Sequence, residues 1–394
     1  MITDNQTNKV YFSPRLMTEC PKLWASIRGA LSERKIRYGL LTYPNYMWCR
    51  DYMPIQIEEE NFVAYRFEPD YLKNDRRYRR FLDCDGYRFC KEIGYSMTEM
   101  DLVMDGGNVV KCGDTIIMTE KIFAENKDKS RIEVERILHE KLKSDILFLP
   151  WDRDEMYGHS DGIVHFAGSN CVLMTNYEDF DQKLAKEMEK RLKRKFEVIQ
   201  LHYQTRRKHL RSWSYINFLQ TERLIMVPQL GAEEDEQALE QISAVFPDCE
   251  TIGVPALEAV RKGGALNCIS WNVKDNGTIP IKLESLLPDV LNLFVHLGDS
   301  VLSDKVFDPL KRFLNDRCSF PRRGEIIAMN DYLDRKKAEM KQISSSMNYG
   351  THLSEEESRQ WDYYQSWQIV LSVLPVFVCN LRECLIDAPF EFSE

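Results

Sequence analysis

The sequence predicts an α/β chain of about five copies of one unit, closing into a ring in the manner of a propeller, followed by a mainly helical extension. Three observations lead there. Three segments in the middle of the chain read alike as strand, tight polar turn, strand. Each is followed by a charged amphipathic stretch and then a short apolar strand. The pattern recurs at roughly 50-residue spacing, the period of an array or a propeller, and it stops near residue 285.

Taken in chain order, Cys20 to Glu33 reads as a helix leading to a strand at Arg37 to Leu41. Met53 to Phe67 reads as a hairpin turning near Glu59-Glu60-Asn61, with a helix near 75–92 and a strand near 98–103. The hairpin Val109 to Thr119 precedes a helical stretch at 120–143 and the strand Asp145 to Leu149. Val164 to Thr175, 179–195 and Phe196 to Leu201 repeat the order, as do Ile216 to Pro228, 233–246 and Thr251 to Val254. Ala265 to Val273 starts a last strand pair that Val10-Tyr11-Phe12 can complete, and such closure would leave no sheet edge. Beyond about 285, Val290 to Val301, Glu325 to Ser344 and Ser354 to Leu381 have helical periodicity, with an exposed loop expected over Ile343 to Gly350. The expected division is a catalytic domain at 1–284 and a helical extension at 285–394.

Composition narrows the function. The 394 residues are 43% hydrophobic and 11% aromatic, enough for a sizeable core. A formal charge of −9 argues against a nucleic-acid partner, which usually meets a basic surface. Met1 to Gln6 holds no basic segment leading into an apolar run, so no secretory signal is expected. The longest apolar stretch, Trp367 to Leu381, is too short to cross a bilayer and is interrupted by Pro375, so no membrane partner is expected. The 11 cysteines are scattered without zinc-like spacing, which reads as reduced thiols in a cytoplasmic setting and core filler for the most part. His139, His165, His202, His209, His296 and His352 read as structural, and Arg206-Arg207-Lys208 as a solvated loop.

In four of the five units, unusual polar residues fall between the lone strand and the next hairpin. They are Trp48-Cys49-Arg50-Asp51, Asp105-Gly106-Gly107-Asn108, Gly158-His159-Ser160-Asp161 and Gly263-Gly264-Ala265-Leu266-Asn267-Cys268. Singly, a His-x-Asp is more often a structural pair and a cysteine more often core filler. Equivalent positions around an axis would bring them into one pocket. A thiol beside a histidine supplies a nucleophile and an acid–base partner. Surplus carboxylates would only raise the thiol pKa, unless the substrate is a cation; a guanidinium offers a planar fork that carboxylates grip with two bonds. The candidates are therefore Cys268 as nucleophile, His159 as proton carrier, and Asp51 and Asp161 as the grip, with Trp48, Asp105, Gly106, Asn108, Gly264 and Asn267 as further substrate contacts. No cofactor or metal is expected, since nucleophile and acid–base group are both side chains and no second or third histidine is well placed.

On these motifs, together with Trp48-Cys49-Arg50-Asp51-Tyr52-Met53-Pro54, Ser214-Tyr215-Ile216-Asn217-Phe218, Val227-Pro228-Gln229 and Asp235-Glu236-Gln237-Ala238-Leu239, the sequence resembles the agmatine deiminase and bacterial peptidylarginine deiminase family. The resemblance covers about residues 10–280. It implies the pentein fold, a five-bladed α/β-propeller with quasi-fivefold repeats, and hydrolysis of a guanidinium to a ureido group plus ammonia. It implies that Cys268 carries a thiouronium adduct, that His159 shuttles protons, and that Asp51 and Asp161 bind guanidinium nitrogens. The agmatine branch further implies a place in putrescine biosynthesis. Met53 stands where the family usually has Gly, Asp105 where many agmatine deiminases have Glu, Ser160 where an aliphatic residue is usual, and Asn267 where His is common. All four flank the core residues, so the substrate is left open among agmatine, free arginine and an arginine-containing peptide. Other readings are an amidinotransferase or methylarginine hydrolase on the same scaffold, a catalytically idle guanidino-binding or protein-interaction module, and, weakly, a cysteine peptidase. The extension lies outside the resemblance and is available to cover the pocket, mediate homo-oligomerisation or bind a partner.

Overall fold

A hairpin followed by a helix and a strand can close a small sheet only one way: the hairpin is antiparallel, and the helical crossover returns the third strand parallel to the second. The computed structural model, which describes the chain apart from residues 42–45, 76–77, 83, 93–94, 206–208, 276–282, 298–300, 316–320, 347–353 and 388–394, has this arrangement five times over. Ile55–Gln56, Asn61–Arg66 and Ser96–Val103 form one such sheet. Val110–Cys112, Thr115–Thr119 and Asp145–Leu149 form the next. Val164–Gly168, Cys171–Met174 and Glu197–Gln200 follow, then Leu219–Gln220, Leu224–Gln229 and Glu250–Pro255. The fifth sheet takes strands from far apart: Ser270–Val273 runs antiparallel to Lys9–Phe12, which runs parallel to Arg37–Leu40.

The crossover helices bury one face and are capped by their own sequence. Gln182–Leu192 starts at Asp181, whose carboxylate accepts from the Lys183 and Leu184 amides, and it buries Ala185, Met188 and Leu192. Arg131–Leu142 starts at Ser130 and buries Val134, Leu138 and Leu142 against the Val63, Met100 and Ile116 core. The stretches expected as single helices at 120–143 and 75–92 are each divided. Lys121–Glu125 is separate from Arg131–Leu142, and Tyr78–Leu82 from Gly86–Glu92. In the first case Asn126 turns its side chain to the Val103 amide and carbonyl, 2.8 Å each, and leaves the helix to do so.

The leading strand of every sheet carries one buried polar residue at a matching place: Gln56, Lys111, His165, Gln220 and Asn272. Four of them are satisfied by each other and by the N-terminal segment, and Gln56 donates through its Nε2 to the Glu59 and Lys274 carbonyls. His165 Nε2 lies 2.8 Å from Gln220 Oε1, Asn272 Nδ2 donates to the Gln220 carbonyl at 2.9 Å, and Lys111 Nζ pairs with Asp4 at 2.8 Å. His165 thus has the structural place expected for it.

By internal contacts the chain divides after Asn276, a few residues before the boundary at 284 expected from the end of the hairpin pattern. The second unit contains Leu283–Leu297, Asp308–Asn315, Arg323–Ser346 and Glu355–Asp387. Its core holds Phe307, Met329, Leu333 and Trp367, with the Tyr332 ring 5.4 Å from Phe307 and 6.1 Å from Trp367. Ile343 to Ser346, expected as loop, are the last residues of the third of these helices, and 347–350 lie outside the described residues, as do Arg206-Arg207-Lys208. Pro375 lies within the fourth helix. No described helix is long and apolar enough to cross a membrane.

Candidate active site

Where each third strand ends and the next leading strand begins, the chain makes one helical turn: Cys49–Tyr52, Gly106–Asn108, Ser160–Gly162, Ser212–Ile216, and the turn closed by Ile269 N to Ala265 O at 3.3 Å. Asp51, His159, Asp161 and Cys268 ride on or beside these turns, and all four line one cavity of about 330 Å³. Trp48 and Gly264 line it too. The other four expected substrate contacts, Asp105, Gly106, Asn108 and Asn267, are absent from the lining and stand behind it.

Their contacts explain why. Asp105 Oδ2 sits 2.9 Å from His159 Nε2, while His159 Nδ1 lies 3.7 Å from Asp51 Oδ1. Burial disfavours the imidazolium, but the Asp51 charge and the Asp105 hydrogen bond outweigh it and lift the His159 pKa to about 9. Burial raises the Asp51 pKa to about 7, only partly opposed by His159, with Asp105 and Asp161 pushing the same way as burial. Burial also acts to raise Asp105, yet its pKa falls below the usual range because His159 and the Lys121 ammonium prevail. Asn267 Nδ2 donates to Asp161 Oδ2 at 2.8 Å, and its Oδ1 accepts from Arg50 Nη2 at 2.7 Å. Asn108 is bonded to Thr119, with the Thr119 amide 2.8 Å from its Oδ1. A Cβ at Gly106 would meet the Arg50 carbonyl and the Tyr65 hydroxyl.

Cys268 is half-buried, its Sγ 3.7 Å from Asp161 Oδ2. Burial, then Asp161 and Asp51, push its thiol pKa well up. A bound cation on the two carboxylates would remove much of that penalty.

Three contributors escaped the sequence reading. Asn217 accepts from the Cys268 amide at 3.2 Å and donates to the Asp161 carbonyl at 3.3 Å, so it ties the two segments together. Its signal was its place in the Ser214–Phe218 motif, in the one unit without a candidate. Tyr71 donates to Asp51 Oδ2 at 3.4 Å and nothing local marks it. Gly107, rather than Gly106, backs the site: its amide donates to Asp51 Oδ1 at 3.2 Å, and a Cβ there would lie 2.5 Å from His159 Nδ1 and 2.8 Å from Asp51 Oδ1. Gly107→Ala is therefore expected to push these two side chains apart and cost about a hundredfold in turnover with the chain still folded. Steady-state kinetics beside a circular-dichroism melt check this, and an unimpaired enzyme would contradict it.

The cavity walls are aromatic at Tyr46, Trp48, Tyr157 and Trp213, and Asp152, Asp154 and Glu155 add acidic side chains. No described lining residue is Lys or Arg. Among the described residues no group of three or more His, Cys, Asp or Glu is arranged to hold a metal ion.

The family model for Porphyromonas-type peptidyl-arginine deiminase matches residues 16–273. A Lactococcus lactis relative with the provisional name agmatine deiminase is 28% identical over 207 residues, 43% of this chain and 57% of its own length. The match thus spans little more than half of that relative. The agmatine deiminase of Stutzerimonas stutzeri is 25% identical over 314 residues, 66% of this chain and 82% of its own. The solved agmatine deiminase of Enterococcus faecalis superposes with a TM-score of 0.57 over 68% of this chain and 94% of its own at 21% identity, a likeness of fold.

Proposed function

The chain belongs to the Porphyromonas-type peptidyl-arginine deiminase family, and from that premise we propose that it hydrolyses a guanidinium group to a ureido group and ammonia. The observation that carries this reading is the convergence of a thiol, a histidine and two carboxylates on one cavity from three separate junctions. The five sheets are read as the blades of a closed α/β-propeller, whose axis explains the convergence.

In the proposed reaction Asp51 and Asp161 hold the guanidinium nitrogens and the Cys268 thiolate attacks the central carbon. The imidazolium of His159 gives its proton to a terminal nitrogen, which leaves as ammonia, and a thiouronium remains on Cys268. The neutral His159 then takes a proton from water as the oxygen attacks, the C–S bond breaks, and the thiolate returns. One guanidinium and one water become one urea and one ammonium. No cofactor is required, and the setting proposed is cytoplasmic.

The cavity also bears on the substrate. Without a described cation in the lining, the carboxylate of free arginine finds no partner, whereas Asp154 and Glu155 suit a far end that is cationic or neutral. Agmatine and an arginine within a peptide meet that condition. Ammonia and ureido-product assays over agmatine, arginine and arginine peptides test the reading; no turnover of any of them would reject it.

The pH dependence follows from the resting charges. Asp51 must ionise to hold a cation, and its pKa is about 7. With the thiol pKa high, free enzyme rests as thiol and imidazolium; the reactive thiolate–imidazolium pair has one proton fewer and gains population until His159 titrates near 9. kcat/KM is expected to climb through about pH 7 and level off near 9, and a profile that falls across that interval would refute the charge assignment.

A further inference from the structure

Beneath the Gly158–His159 segment lies a charged side chain that the proposed reaction does not use. Lys121 opens the short helix Lys121–Glu125, its side chain is 1% exposed, and its ammonium lies 3.3 Å from Asp105 Oδ2, 3.1 Å from Glu125 Oε1 and 3.2 Å from Asp70 Oδ1. It also sits 4.9 Å from the centre of the Tyr71 ring. A buried ammonium is costly unless paired, and here three carboxylates surround it.

The decisive detail is which oxygen of Asp105 it touches. Oδ2 is the atom already bonded to His159 Nε2 at 2.9 Å, and Oδ1 is buried with no hydrogen-bond partner. The carboxylate that orients the histidine is thus held at one oxygen by two cations, and without Lys121 a single contact would remain. A freed carboxylate, next to a cavity that takes a guanidinium, has a competing partner in the substrate.

Building on the deiminase reading above, we infer that Lys121 is a positioning residue: its ammonium pins Asp105 against the His159 imidazole and keeps that carboxylate from turning toward the cationic substrate. The group acts through Asp105 and touches neither the nucleophile nor the reacting carbon.

The charge consequence has a definite sign. Among the described residues, the titratable groups around His159 are Asp51 from the Cys49–Tyr52 turn, Asp105 from the next junction, Tyr71 and Tyr157 with rings at 6.0 and 5.9 Å, and Lys121 with Glu125 from the helix below; Asp161 and Cys268 line the same cavity. Lys121 is the one cation among them and opposes the imidazolium. Its removal takes away that opposition but also frees Asp105, whose hydrogen bond and charge raise the imidazolium by more than Lys121 lowers it, so His159 titrates lower and the level part of the pH profile begins at a lower pH.

The test uses the full chain with Lys121→Met, and with Lys121→Met combined with Glu125→Gln, which removes the ammonium together with its nearest carboxyl partner. Both variants are expected to lose about ten- to a hundredfold in kcat with KM changed far less, and to shift the onset of the plateau downward. NMR titration of the His159 imidazole, identified by its disappearance in His159→Gln, supplies a readout that needs no substrate and is expected to move the same way. A folded double variant whose His159 titration is unchanged or raised overturns the inference. Wild-type protein without turnover, together with a lowered His159 titration in the variants, would reject the deiminase reading and keep the pinning of Asp105.

Discussion

Cys268→Ala is expected to abolish turnover, by about ten-thousandfold or more, while leaving the fold and the cation-binding pocket in place. The side chain is half-buried, with its Sγ 3.7 Å from Asp161 Oδ2. Its backbone amide keeps its bond to Asn217. Deleting Sγ therefore leaves no buried donor unsatisfied and makes only a small gap on the cavity side, and the melting temperature should move by no more than a few degrees. The Asp51 and Asp161 charges remain, so a guanidino compound should bind the variant with wild-type affinity or better. Ammonia release and calorimetric titration on the same preparation separate the two properties. Residual activity within tenfold of wild type would remove Cys268 as nucleophile; loss of binding along with activity would point to a collapsed pocket.

The second large effect concerns the carboxylates. Asp161→Asn and Asp51→Asn each delete one charge from a buried pair around a cation, a loss of about 3–5 kcal/mol, or a few hundred- to a few thousandfold in kcat/KM. The two variants should differ in a second property. Asp51 is held at about 7 against an ordinary value of 3.8, so its ionisation costs stability that is lost as pH rises from the lower value to the higher. Above pH 7 the whole cost is present, and Asp51→Asn should melt higher than wild type at pH 8, a trade of stability for function. The same substitution should erase the inflection near pH 7 from the rate profile. Thermal melts and rate profiles decide this; a lower melting temperature and an unchanged inflection would show that Asp51 is ionised well below neutral pH.

Much of this was legible in the sequence because the repeat is local. A hairpin, a helix and a strand within some fifty residues announce themselves by periodicity, and the position of the polar junctions followed from the repeat. What was hidden depends on contacts between repeats. Asn126 ends a helix to satisfy Val103, and Asp105 reaches His159 rather than the cavity because Lys121 waits on the far side. Gly106 and Gly107 are indistinguishable in sequence, and only the approach of His159 shows which one has no room for a side chain. In the helical unit, the eight-residue helix Asp308–Asn315 is strongly amphipathic, yet it is shorter than the stretches whose periodicity reads as helical there.

The sheet that joins Lys9–Phe12 to Ser270–Val273 has a consequence for the order of events in the chain. Four sheets are made from neighbouring stretches, such as Thr115 with Asp145, whereas this one must bring Lys9 to Val273. Closing the longer loop costs about 2 kcal/mol more in chain entropy, and the pairing comes late because it waits on everything between. Cys268 lies two residues before that returning strand, with its amide bonded to Asn217 and its carbonyl to the Arg50 amide. The nucleophile is thus placed by the last part of the unit to assemble, so a polypeptide stalled short of that pairing holds its carboxylates and its histidine with nothing to attack the carbon between them.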